Sequence, residues 1–387
     1  MLFLKGKKWW AILLLLVCLI IFSGYIFNKK QMQYWLLPYL KWEMTNVQSA
    51  DKPVHIMLLI VDHFEPTTME NMKHWTRRWP DIVKGHKDAD GRSPQYTWAY
   101  FIDGYNREIL GELAKLVELG LGEIEIQLHH SNDTPESFRA KLKEGKKRLQ
   151  EVGSAVTIDG KEHFGYIAGN WALDNSVIRN GRNKSGVNCE LLILKEEGCF
   201  ADFTMPPAFG MATPNLLNVI YYAKDDPCQP KSYATGQVVH VGGRTFGDLL
   251  IFQGPISINF KDWRKIFYPD INTGNIQASD PPIPVRIDEW VRVGVHVKGK
   301  PDWIFIKLHT HGAHPPIREM LLSDKMSDMF AYLESKYNDS REYALHYVTA
   351  REAYNIAKAA EAGENGNPNE YRNFLIQPYE NNPGNNF

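Results

Sequence analysis

The chain has 387 residues, with 44 Lys and Arg against 45 Asp and Glu, for a formal charge of −1 at pH 7. That balance excludes a nucleic-acid partner held by a basic surface. Its 4 cysteines, without a CxxC pair among them, exclude a zinc knuckle and a dense disulfide framework; a single bridge among Cys189, Cys199 and Cys228 stays open.

Residues 9–27 read WWAILLLLVCLIIFSGYIF and carry no charge. At 1.5 Å rise per residue they form about 28 Å of helix, near the ~30 Å of a hydrocarbon core. Trp9, Trp10 and Tyr25 stand at its ends, at headgroup level. Lys5, Lys7 and Lys8 precede a run longer than a signal peptide's apolar stretch, and no clear cleavage site follows. The expectation is an uncleaved transmembrane anchor, with residues 1–8 cytoplasmic and the rest periplasmic or extracellular.

After a connector over 28–52, short apolar strands alternate with amphipathic helices. Strands are expected at 56–61, 97–102, 123–128, 164–168, 199–203, 249–253, 303–308 and 343–348. Helices are expected at 105–119, 135–151, 187–197, 214–222, 318–336 and 350–361, the last opened by a capping box over Thr349–Glu352. Such alternation means βαβ units and an α/β fold: a (β/α) barrel of about seven to eight strands over 53–365. No GxGxxG follows an early strand, so no nucleotide cofactor is expected. Residues 224–300 read as an inserted hairpin and loop region, and the Asn-, Gly- and Pro-rich residues 366–387 as a disordered tail.

Barrels of this kind carry their sites at the C-terminal ends of the strands. Those ends hold Asp62, His63 and Glu65; His129, His130 and Asp133; Asn170 and Trp171; Asp202; Gln253; His309 and His311; and Arg351. His129 and Asp133 stand at i and i+4, so on a helical turn they share one face and can share one divalent ion, with Asp62 as a third ligand. Zinc suits such a set best, and manganese, cobalt or nickel also fit. Asp133 equally fits a cap for the helix opening at Pro135. Of His309 and His311, one is expected to face the mouth and the other to be structural. Trp171 can stack on a sugar ring or pack in the core.

LLIVDHFEP (58–66), the His129/Asp133 pair, FADFTMPPA (200–208) and LHTH (308–311) together resemble motifs of the polysaccharide deacetylases of carbohydrate esterase family 4, within the wider glycoside hydrolase/deacetylase barrel superfamily. VDHFEP, LHHSNDT, GNWALDNS, KLHTHGA and HYVTARE also look like a group of bacterial proteins of that superfamily, over nearly all of residues 53–375. Val61 stands where the family has the first of two adjacent aspartates, Asp133 replaces a histidine, and the arginine of the third motif is absent. The resemblance implies metal-dependent removal of acetyl groups from a polysaccharide. Asp62, His129 and Asp133 would then be ligands, with His130 a possible addition. Glu65 or His63 would be the base and His311 the acid, and His309, Asp202 and Asn170 further site residues. Trp171, Gln253 and Arg351 would contact substrate. Two other readings stay open: a metal-free glycoside hydrolase using Asp62, Asp202 or Glu65, and an inactive, membrane-tethered carbohydrate-binding component of exopolysaccharide assembly.

Overall fold

The computed structural model describes residues 2–46, 50–205, 210–259 and 270–380. Residues 206–208 of the FADFTMPPA stretch, 260–269 of the expected insertion and 381–387 of the expected tail lie outside the described residues. The helices are α1 (Leu2–Lys29), α2 (Leu36–Thr45), α3 (Met69–Val83), α4 (Arg107–Glu118), α5 (Pro135–Gln150), α6 (Glu190–Glu196), α7 (Pro284–Val293), α8 (Pro315–Leu321), α9 (Asp324–Tyr337) and α10 (Ala350–Ala362). The strands are β1 (Val54–Phe64), β2 (Tyr96–Phe101), β3 (Gly122–Leu128), β4 (Phe164–Ala168), β5 (Ile178–Arg179), β6 (Arg182–Asn183), β7 (Cys199–Asp202), β8 (Ile220–Ala223), β9 (Gln237–Val238), β10 (Leu249–Phe252), β11 (Ile256–Asn259), β12 (Asp270–Thr273), β13 (Val295–His296), β14 (Trp303–Thr310) and β15 (Tyr343–Tyr347).

Parallel pairing runs β14-β1-β2-β3-β4-β7-β10. β1 is long enough to pair with β15 over Val54–Leu58 and with β2 over Val61–Phe64. This large, mostly parallel sheet is compatible with a barrel. Among the described residues no ladder joins β10 to β14. There the carbonyl of Met205 accepts from Gly254 N, just past β10, and from the Lys307 amino group on β14. Antiparallel partners fill the expected insertion: β8 with β10 and β9, and β11 with β12.

The alternation of the strands sorts the core into two faces. Ile56, Leu58, Ile60 and Phe64 of β1 pack outward with Trp75, Leu113 and Phe330. Met57, Leu59 and Val61 face inward, where the small side chains of α10, Ala350, Ala353, Ala357 and Ala360, let that helix lie close to the sheet. The Thr349 capping box forms as expected, Thr349 Oγ1 accepting from Glu352 N while the Glu352 carboxylate accepts from Thr349 N.

Three expectations change, and one helix was not expected. Residues 214–222 hold a strand, not a helix: Ile220–Ala223 pairs with β10, as befits the β-branched and aromatic run Val-Ile-Tyr-Tyr. The helix expected over 318–336 is broken in two at Leu322, and Ser323 caps the second part by accepting from Lys325 N. α3 was not read from the sequence, although Thr68 caps it and Met72, Trp75, Trp79 and Ile82 form its buried stripe. The residues expected as a disordered tail pack instead, as far as they are described. Tyr379 donates to Glu125 (2.9 Å), and Asn355 donates to the carbonyls of Arg372 and Ile376 (2.7 and 2.8 Å). Polar composition concealed the anchors Ile376 and Tyr379.

α1 covers the segment expected to be an anchor. The side chains of residues 2–13, 15 and 19 lie outside the described residues; beyond them Leu14, Leu16, Val17, Ile20, Ile21 and Phe22 are exposed. Among the described residues no helix is long and apolar enough to cross a membrane.

Candidate functional site

The inward face of β1 continues from Met57, Leu59 and Val61 to His63, and that of β14 from Trp303 and Phe305 to Lys307 and His309, with His311 next in line. Positions two apart on a strand share a face, so both histidines of the 309/311 pair reach the mouth rather than one. His63 and His311 stack at 4.5 Å between ring centroids, 13° apart. Ligand atoms of His63, Glu65 and His311 lie within 4.8 Å of one another. Trp171 covers this group, its ring 4.5 Å from His63, 6.0 Å from His311 and edge-on to His309 at 5.5 Å.

Two observations mark the cluster as more than packing. Nδ1 of His63 and Nδ1 of His309 are buried without a hydrogen-bond partner in the protein, an arrangement that folded cores largely avoid. Trp171 sits at φ 55°, the left-handed region, at a cost of order 1–3 kcal/mol for a non-glycine residue. The residues before it are closely held. Asn170 donates to the carbonyls of His130 and Lys184 (2.8 and 3.1 Å). Gly169 leaves room for His129, whose Cδ2 would be 2.6 Å from any added Cβ. Burial, then the neighbouring histidines, pushes His63 well below the usual imidazole range; burial, then Lys307 and His311, does the same for His309, and burial lowers His311. All three are thereby kept in the neutral form that binds metals.

Glu65 links this group to a charged one. It accepts from Gln127 Nε2 (2.6 Å) and stands 3.3 Å from His129 Nε2, while His129 Nδ1 is 3.2 Å from Asp103. Burial opposes a charge on His129, but its bonds to Asp103 and Glu65 outweigh that and hold the imidazole up at about 9. The reciprocal effect lowers Glu65 and Asp103, although burial alone would raise both. Asp103 and Gln127 were not singled out in the sequence. Asp103 follows β2 at the same rim, a signal the strand-end rule could have used; Gln127 shares the inward face of β3 with Glu123 and Glu125.

Other expected site residues go elsewhere. Asp62 lies on the outward face, one position out of phase with His63. It accepts from Gly312 N and the Tyr96 hydroxyl (both 2.7 Å), and burial pushes its carboxyl up to about 7. It thus fixes the turn after His311 instead of joining His129 as a ligand. Asp133 is separated from His129 because the expected helical turn does not form: Asn132 is left-handed (φ 54°) and the helix starts at Pro135. Its carboxylate is held by Lys141 (2.7 Å) and Ser137 (2.7 Å) and lies 3.3 Å from His130; the cap is Thr134. His130 is buried between Asp133 and Glu190 (3.1 Å) and stacks on Phe138. Asp202 accepts from Thr204 (2.6 Å), with burial raising its carboxyl and lowering the nearby Lys307 ammonium. Gln253 bonds Val219 N and the Leu216 carbonyl. Arg351, the expected substrate contact, is buried against Glu123 (2.8 Å) and the Ile376 carbonyl (3.0 Å).

A second group lies at the N-terminal ends of the strands. Ligand atoms of Asp88, Asp90 and His346 fall within 4.8 Å of one another. His346 Nδ1 meets Asp90 (2.6 Å) and its Nε2 meets His55 Nδ1 (2.8 Å). Asp88 accepts from the backbone N–H of Asp90, Arg92 and Tyr347, and Arg372 stands 3.6 Å from both carboxylates.

Fold and site together define an α/β chain with a histidine- and carboxylate-rich cluster at the C-terminal ends of a mostly parallel sheet. No known family profile matches the chain, and no curated protein matches it. Among solved structures it is similar to the 4-alpha-glucanotransferase of Thermococcus litoralis, at 11% identity and a TM-score of 0.40, over 76% of this chain and 39% of that one. The chain thus spans about two-fifths of that enzyme's length.

Proposed function

We propose that this chain is a metal-dependent hydrolase that removes acetyl groups from a cell-envelope or extracellular polysaccharide and is held at a membrane by α1. The observation that carries the reading is the convergence of His63, Glu65 and His311 around an orphaned buried imidazole nitrogen, with Glu65 half-buried. These residues, in place of Asp62, His129 and Asp133, would hold the ion. Two imidazoles and a carboxylate suit zinc best. Such an ion supplies Lewis-acid polarisation of a carbonyl and a more acidic bound water. His129, hydrogen-bonded through Nδ1 to Asp103, would give a proton to the departing amine or alkoxide. Trp171 presents a ring for a sugar face, and Asp62 holds Gly312 and with it His311. A membrane position is supported by the exposed apolar side chains of α1 from Leu14 to Phe22, with the catalytic domain on the outer side.

A metal-free glycosidase has less support, because it needs two carboxylates flanking the scissile bond about 5–10 Å apart. Asp62 faces the outer layer and Asp202 is engaged by Thr204. The test is acetate release from acetylated oligosaccharides by the full chain, before and after chelation. Chelator-sensitive release supports the proposal. Metal-free cleavage of a glycosidic bond, or sugar binding without turnover, contradicts it.

A further inference from the structure

α3 has two jobs. Its inner side clamps the turn after His311: Asn71 Nδ2 donates to the Ala313 carbonyl (2.7 Å) and Trp75 Nε1 to that of Gly312 (3.0 Å). Its outer side, with Arg318 of α8, lines an open cavity of about 720 Å³. Four permanent cations line it, Lys73, Arg77, Arg78 and Arg318, together with His74 and the single acid Glu70. Neighbouring acids offset part of this charge: Glu319 accepts from Arg318 (2.8 Å) and stands 3.6 Å from His74, and Asp81 stands 3.7 Å from Arg78. Lys73 and Arg77 are exposed and have no ion pair among the described residues. Like charges gathered around one concavity repel one another, and surface lysines and arginines more commonly alternate with acids. Asn71 belongs to the same lining, but its amide is turned inward, on the Ala313 carbonyl.

We infer that this cavity is a subsite for an acidic glycan, taking a carboxylate or phosphate substituent on the guanidinium groups of Arg77 and Arg318. The planar guanidinium fork matches both anions. Asn71 ties the cavity wall to the 312–313 turn, so a chain seated there lies beside the turn that follows His311. The inference rests on the proposed deacetylase reading and narrows its substrate to polyanionic polysaccharide.

The test uses the full chain, the Arg77→Gln/Arg318→Gln variant and the Arg77→Lys/Arg318→Lys variant, each matched in melting temperature. Calorimetry measures binding of an unacetylated polyuronate oligosaccharide and of a neutral oligosaccharide of equal length, so the result does not depend on turnover. The expected result is polyuronate binding that is weakened about tenfold or more in the Gln variant, largely retained in the Lys variant and lost with added salt, while neutral binding is unchanged. On acetylated forms of the two glycans, KM rises for the acidic one alone and kcat stays constant. Equal binding of both glycans, an equal effect of the Gln variant on both, or Arg77-dependent binding of anionic phospholipid vesicles without polyuronate binding would overturn the inference. Acidic-glycan binding without acetate release would keep the subsite and reject the deacetylase reading.

Discussion

The two ends of the sheet each gather three potential ligands within 4.8 Å, yet they are opposite kinds of place. At the N-terminal end the would-be ligands have work: Asp88 takes three backbone N–H groups, both nitrogens of His346 are engaged, and Arg372, one of whose own nitrogens lacks a hydrogen bond, adds a positive charge that would repel a cation. At the C-terminal end His63 has an orphaned nitrogen, Trp171 is held in a strained conformation, and Glu65 is open to solvent on one side. Proximity of histidine and carboxylate therefore says little by itself. What separates the two is an unsatisfied atom on a would-be ligand, together with local strain.

The largest expected effect breaks the comparison at the mouth. His311→Ala should lower acetate release by about 10³-fold or more, roughly 4 kcal/mol in the transition state, with the melting temperature nearly unchanged. At the other end Arg372→Ala leaves Asp88 and Asp90 without their arginine and Glu352 with Arg92 alone. It should cost about 3 kcal/mol of stability in denaturant titration and leave activity per folded molecule intact. Between the two lies Gly312→Ala. Its added Cβ would sit 2.2 Å from Asp62 Oδ2 and 2.6 Å from Trp75, so the turn and His311 must move, and kcat should fall about 100-fold.

A smaller effect concerns pH. Burial lifts the carboxyl of Glu125 from 4.5 to about 8 in the folded chain. Between those values the folded state holds a proton that the unfolded state has released. Stability therefore falls as pH rises through that window, by up to about 1.4 kcal/mol per pH unit. Glu125→Gln should flatten this slope in melts run from pH 5 to 8; an unchanged slope would refute the assignment.

Much of the rim was legible because strand ends can be found by apolar runs, and His63, Glu65, Trp171 and His311 all came from that rule. The pleat was the unused signal. Counting alternate positions along β1 puts Asp62 with Ile60 on the outer face and His63 with Val61 on the inner one. The His129/Asp133 pairing rested on a helical turn that left-handed Asn132 prevents, a local backbone choice that side-chain spacing does not reveal. Bonds such as His129 to Asp103 and Arg351 to Glu123 join residues 26 and 228 positions apart, and nothing local announces them.

The central claim is that His63, Glu65 and His311 hold one metal ion. Zinc titration of the full chain, followed by calorimetry, tests it in parallel with His63→Ala, Asp133→Asn and His346→Ala. One ion should bind the wild type, be lost in His63→Ala, and be retained in both other variants. An ion lost on changing Asp133 or His346 but retained in His63→Ala would contradict it.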